Sequence, residues 1–174
     1  MNDYYTHREY LKKELTKIKK SENSYCLEFG TGDGSGLIFS EILKTNDKMS
    51  VVAYDSDASW LNKTKETYGN DNYQFIHVNN WNEILKEKNF DKIYDLVFVD
   101  QAPWEARINS IDTIMKKAKT IILHDYDYFN IGVCDDIYSV NEGSFFHTKY
   151  GEHFDLIGYK EQLPPTLVMI NKKL

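Results

Sequence analysis

Nearly every polar side chain able to do chemistry in this sequence stands at the end of a short apolar run. Glu28-Phe29-Gly30-Thr31-Gly32-Asp33-Gly34-Ser35-Gly36 closes the first run, and Asp55-Ser56-Asp57 closes the second. Asn79-Asn80-Trp81 closes the third, Asp100 to Trp104 the fourth, and His124 to Tyr128 the fifth. Glycines at alternate positions permit a tight turn, bare backbone facing a ligand, and close packing of the next helix. Two phosphate-binding loops are excluded. The dinucleotide fingerprint G-x-G-x-x-G needs a third glycine where Ser35 or Leu37 stands, and no Gly-Lys-Ser/Thr ending is present. Asp100, His124 and Asp125 add two carboxylates and an imidazole, groups suited to taking a proton near neutral pH.

The elements that must position these residues read clearly. Runs at 25–29, 50–54, 73–78, 96–99 and 120–123 are short, β-branched and apolar, as expected of strands buried on both faces. Between them, 36–44, 57–68, 81–88 and 107–117 carry apolar residues at helical spacing. Residues 4–20 do the same among lysines and glutamates, predicting an amphipathic N-terminal helix within 1–22. Repeated strand–helix alternation makes a parallel sheet with helices on both faces. Runs at 154–159 and 167–170 have no helix between them, so they pair antiparallel or lie apart. The expected fold is α/β: a doubly wound, mostly parallel, seven-stranded sheet with an antiparallel C-terminal strand, forming one domain over 1–174. In such sheets ligands bind outside the carboxyl ends of the strands, where the polar segments fall.

Composition narrows the classes. A chain of 174 residues with net charge −6 and a pI near 5.4 offers a poor grip on nucleic acid phosphates. No apolar run approaches the ~20 residues of a membrane span. The N-terminal stretch has no secretory-type apolar segment, so a cytoplasmic location is expected. Two cysteines, Cys26 and Cys134, are too few for a disulfide framework or a four-ligand zinc site. Cys26, inside an apolar run, is expected to be a buried thiol. His77, inside a strand, is expected in the core.

Over residues 24–128 the sequence resembles the class I S-adenosylmethionine-dependent methyltransferases. Glu28-Phe29-Gly30-Thr31-Gly32-Asp33-Gly34 is similar to that family's first motif, and Asp95-Leu96-Val97-Phe98-Val99-Asp100 to its fourth. The resemblance implies a cofactor site formed by Glu28, Gly30, Thr31, Gly32, Gly34, Asp55, Ser56, Asn80 and Trp81. Asp55 matches the acid that holds both ribose hydroxyls, and Asn80 falls where a polar side chain meets the adenine amino group. Two neighbouring hydroxyl donors suit one carboxylate acceptor. The acids Glu28, Asp33, Asp55 and Asp57 also favour a ligand carrying an ammonium and a sulfonium.

Methyl transfer requires an aligned acceptor and, for a hydroxyl, removal of its proton. Asp100, His124 and Asp125 are the catalytic candidates. Metal-dependent O-methyltransferases of this fold bind a divalent cation through acids ending their fourth and fifth strands. Asp100 and Asp125 match those places, which implies a Mg²⁺-like ion there, although Tyr126 stands where the family carries Asn or Asp. A plainer alternative has Asp125 closing a loop and His124 serving the core. The resemblance points to O-methylation of a small-molecule or sugar hydroxyl, with a second copy of the chain as a candidate partner. The alternatives are a nucleotide- or nucleic-acid-directed methyltransferase and a non-catalytic cofactor-binding module. A basic patch formed by Arg107, Lys116, Lys117 and Lys119 would favour the nucleic acid reading.

Overall fold

A computed structural model describes residues 5–87 and 90–174. The chain runs α1 (His7–Thr16), β1 (Ser24–Phe29), α2 (Asp33–Leu43), β2 (Met49–Asp55), α3 (Ala58–Tyr68), β3 (Tyr73–His77) and α4 (Trp81–Glu87). It continues with β4 (Tyr94–Val99), α5 (Trp104–Ile114), β5 (Ala118–His124), a 3₁₀ turn (Asp127–Asn130), α6 (Phe145–Tyr150), β6 (Phe154–Tyr159) and β7 (Thr166–Asn171). The seven strands lie in the order β3-β2-β1-β4-β5-β7-β6. β1 to β5 are parallel, while β7 is antiparallel to both β5 and β6. The expected mixed α/β sheet is therefore present, with its C-terminal hairpin inserted so that β7 lies beside β5.

The two faces of the sheet are read from alternate residues of each strand. Leu27, Phe29, Val97, Val99, Ile121 and Leu123 belong to one core, shared with α4 and α5. Cys26, Val51, Ala53, Leu96, Phe98 and Ile122 belong to the other, shared with Leu11 and Leu15 of α1 and Phe39 of α2. Fully burying such a side chain stabilises by ~1.5–3 kcal/mol, so a sheet covered on both sides is held firmly at its centre. Cys26 is buried, as expected.

Several boundaries move. The N-terminal helix is shorter than 1–22, and residues 1–4 lie outside the described residues. α2 begins at Asp33, three residues before the expected start, because an acid in the first turn suits the positive end of the helix. α5 begins at Trp104 directly after Pro103. The 3₁₀ turn and α6 were not anticipated. No described helix is long and apolar enough to cross a membrane.

Candidate active site

The glycine loop leaves β1 with Gly30 at φ +87°, a left-handed conformation that favours glycine. A Cβ on Gly30 would lie 2.5 Å from the backbone nitrogen of Gln101, so this glycine lets the ends of β1 and β4 approach. Gly34 serves the fold as well. A Cβ there would come within 2.6 Å of His7 Nε2 and 2.7 Å of the Tyr5 ring, so the N-terminal segment, not a ligand, occupies that space. Gly36 packs α2 against Tyr68. Gly32 differs: its extended backbone would bring a Cβ no nearer than 3.8 Å to any other group. Of the four glycines, Gly32 alone presents open backbone.

Asp55 closes this loop from the end of β2. Its Oδ2 accepts the Thr31 amide at 2.7 Å and the Thr31 hydroxyl at 2.9 Å, and its Oδ1 accepts the Asp57 amide at 2.8 Å. An ionised carboxylate has about four lone-pair sites, so three accepted bonds leave room for one more. The Trp60 indole donates to the Thr31 carbonyl at 2.6 Å and locks the loop from α3. Glu28, expected among the cofactor contacts, is instead fully buried. One of its oxygens accepts from Ser35 at 2.5 Å and the other from the Tyr73 hydroxyl. Burial pushes its carboxyl up to about 8, so it ties α2 to β3 rather than facing a cation.

Beyond Asp55, a groove of ≈ 320 Å³ is lined by Ser56, Asn79, Asn80, Trp81, Pro103 and Asn109, among others. It lies at the carboxyl ends of the strands, where ligands of open α/β sheets bind. Another cleft, of ≈ 270 Å³ and lined by Tyr25, Ser50, Asn72 and Lys92, sits at the opposite end of the sheet. Asn80 is exposed in the groove, and its Oδ1 accepts the Asn82 amide at 3.0 Å, starting α4. Trp81 lines the groove with a largely buried ring whose Nε1 donates to the Ala102 carbonyl at 2.8 Å. His77, expected in the core, is exposed with Nε2 3.2 Å from the Ser56 carbonyl.

The ends of β4 and β5 form a second, more tightly bonded cluster. Their register pairs Val99 with Leu123, which sets Asp100 beside His124. The Asp100 carboxylate is 27 % exposed, with Oδ1 3.0 Å from Arg107 Nη2 and 3.3 Å from His124 Nδ1. Burial alone would raise its pKa, but the His124 hydrogen bond and the charges of His124 and Arg107 outweigh it and hold Asp100 low. Arg107 was not anticipated as a site residue. Its Nε donates to the Gln101 carbonyl at 2.8 Å and Nη1 to the His124 carbonyl at 2.7 Å, while the guanidinium lies 4.1 Å from the centre of the Trp104 ring. A buried guanidinium fork thus fastens the end of β4 to the end of β5.

His124, expected to be a base beside the ligand, is 5 % exposed. Its Nδ1 faces Asp100, and its Nε2 lies 3.2 Å from the Thr6 hydroxyl. Both nitrogens are turned into the fold, so His124 acts on Asp100 and not on an acceptor. Asp125 lies one residue beyond β5 at φ 61°, a left-handed conformation uncommon outside glycine. It is half-buried, and burial raises its pKa despite the nearby His124 and Arg107. The expected cation pair is corrected in one respect. Among the described residues, the ligand-type side chains that converge within 4.8 Å are His7, Asp100 and His124, and Asp125 is not one of them. His7, from the first turn of α1, is held neutral with its pKa down to about 3, chiefly by burial and then by His124.

An aromatic wall borders this cluster. Trp104 stacks on Tyr128 with ring centres 4.8 Å apart, and Tyr128 is half exposed. Two of the four cations whose patch would favour a nucleic acid reading lie apart. Arg107 is buried at the carboxyl edge, while Lys119 pairs with Asp95 at 2.8 Å near the other end of the sheet.

No protein-family model matches the chain, and no curated protein matches it in sequence. Solved structures do. A protein assigned as an O-methyltransferase from Klebsiella pneumoniae superposes with a TM-score of 0.70 at 15 % identity, covering 95 % of this chain and 80 % of that one. The SAH-bound Podospora anserina methyltransferase PaMTH1 gives 0.62 at 15 %, over 99 % and 89 %. An rRNA methylase from Streptococcus thermophilus gives 0.59 at 16 %, over 92 % and 93 %. The chain has the seven-stranded fold of the class I methyltransferases.

Proposed function

We propose that the chain is an S-adenosylmethionine-dependent methyltransferase acting on a hydroxyl of a small molecule or sugar. One observation carries the reading: open backbone at Gly32 directly follows Thr31, whose amide the Asp55 carboxylate accepts, and the groove is lined from Ser56, the residue after Asp55. That arrangement fits an adenosine whose ribose meets Asp55 and whose base lies along Asn79, Asn80 and Trp81. The acids Asp33, Asp55 and Asp57 favour the cationic end of the same molecule. The SAH-bound structural neighbour supports this cofactor.

Bound S-adenosylmethionine supplies the methyl group. The residues of this chain hold it and prepare the acceptor. Asp55 accepts from the ribose through its remaining lone-pair site. Asp125, whose carboxyl is pushed up by burial, is the stronger base of the two acids and takes the acceptor hydroxyl's proton. Asp100, kept ionised by His124 and Arg107, orients the acceptor and balances charge. Trp104 and Tyr128 offer a flat wall for the body of the acceptor. With Arg107 buried and Lys119 paired with Asp95, these two cations are drawn away from a nucleic acid, which favours a small acceptor.

The test is transfer from methyl-labelled S-adenosylmethionine to a panel of hydroxylated small molecules, run beside structured RNA. Label in a small hydroxyl compound is the expected result. Label in RNA alone would move the reading to a nucleic acid substrate.

A further inference from the structure

We propose that His7, Asp100 and His124 form a binding site for one borderline first-row divalent cation of the zinc class, distinct from a Mg²⁺ site on paired acids. The three side chains come from α1 and from the ends of β4 and β5, and their ligand atoms lie within 4.8 Å of one another. The strongest indication is the proton arrangement around His124. The Thr6 hydroxyl has a single hydrogen, and it donates that hydrogen to the Pro164 carbonyl at 2.5 Å. Towards His124 Nε2, at 3.2 Å, Thr6 can therefore only accept, so Nε2 carries a proton. Neutral His124 then turns the lone pair of Nδ1 toward Asp100 Oδ1 at 3.3 Å. Two lone pairs then face each other, an arrangement that needs something between them: a second proton on His124, which makes the hydrogen bond to Asp100 described above, or a cation in its place.

His7 distinguishes the two. The residue is 3 % exposed, and neither ring nitrogen has a hydrogen-bond partner among the described residues. Burying an unpaired ring nitrogen is costly, and a proton on His124 would leave that cost in place. A cation shared by His7, Asp100 and His124 takes one of the two His7 ring nitrogens together with the two facing lone pairs. The ring is let in by a glycine, since a Cβ at Gly34 would reach within 2.6 Å of His7 Nε2. Thr6 supplies the second-sphere bond that fixes the tautomer of a histidine ligand. Asp100 Oδ1, the oxygen that faces His124 Nδ1, is the one placed to share the cation, and Arg107 Nη2 donates to the same oxygen at 3.0 Å. Two imidazoles with one carboxylate favour Zn²⁺, Co²⁺ or Ni²⁺ over Mg²⁺, which prefers oxygen ligands and retained water.

This site does not depend on the methyl-transfer reading, and its test uses the chain alone. The chain, stripped with chelator, is titrated with Zn²⁺ while the ring ¹⁵N shifts of its five histidines are followed. The expected result is one Zn²⁺ per chain, with His7 and His124 shifting and His77, His147 and His153 unmoved, and no response to equal Mg²⁺. His7→Gln should weaken Zn²⁺ at least ~100-fold, beyond the range for losing an outer-sphere partner. Absence of His7 and His124 shifts at millimolar Zn²⁺ would overturn the proposal. So would a larger loss of affinity in Asp125→Asn than in His7→Gln. If His7→Gln does not fold, the wild-type spectra decide by themselves.

Discussion

The Asp55 carboxylate holds Thr31 at two points, accepting its amide at 2.7 Å and its hydroxyl at 2.9 Å with the same oxygen. The acid expected to meet a ribose is therefore also the bolt that shapes the glycine loop. Its two duties can be separated. Thr31→Val removes only the hydroxyl bond and should cost about 1 kcal/mol in a urea titration. Asp55→Ala strands a buried amide as well, so its cost should reach roughly 2–3 kcal/mol. Equal costs for the two variants would show that the amide bond contributes nothing.

The two central glycines should respond in opposite ways. Gly30→Ala places a Cβ at φ +87° and 2.5 Å from the Gln101 backbone, so it should destabilise by more than ~3 kcal/mol or fail to fold. Gly32→Ala meets nothing closer than 3.8 Å and should melt within a few degrees of the parent. Thermal denaturation of the pair checks both statements.

Glu28 imposes a pH dependence. Its carboxyl rises from an ordinary 4.5 to about 8 in the folded chain because it is buried. The folded state then holds a proton that the unfolded state releases, so stability is greatest below pH 4.5 for this group and is lost as pH rises toward about 8. Glu28→Gln keeps a polar partner for Ser35 and Tyr73 and should remove this part of the slope. Urea midpoints between pH 5 and pH 8 that run parallel in both proteins would contradict the assignment.

Arg107 is a positioning residue. Arg107→Lys keeps the charge but cannot make the fork to Gln101, His124 and Asp100. It should cost about 2–3 kcal/mol, less than a wholly buried ion pair because Asp100 is partly exposed. Turnover should fall with it, and the pH profile should shift as the cation beside Asp100 is no longer held in place by the fork. A stable variant with an unchanged profile would remove Arg107 from the site.

Much of this was legible in the sequence because parallel strands buried on both faces spell themselves as apolar runs, and the residues ending them become the sheet's carboxyl edge. Asp55, Asn80, Asp100 and Asp125 were placed at that edge in this way, and the structure puts them there. Glu28 was misread because strand position alone does not say whether an acid points to solvent or into a helix–strand seam. His7 was missed although a signal existed: with Leu11 and Leu15 it repeats at intervals of four, which puts it on the buried stripe of α1. Arg107 was grouped with nearby lysines, since sequence proximity hides that a long side chain can turn back under its own helix. The aromatic turn and α6 were too short for periodicity to reveal.

The central claim, cofactor binding at the open glycine, is tested most directly by calorimetric titration with S-adenosylmethionine and its demethylated product, using wild type and Gly32→Val. Wild type should bind one molecule per chain, and Gly32→Val should bind none while melting at nearly the same temperature. No binding by wild type, or equal affinity in both proteins, would contradict the account.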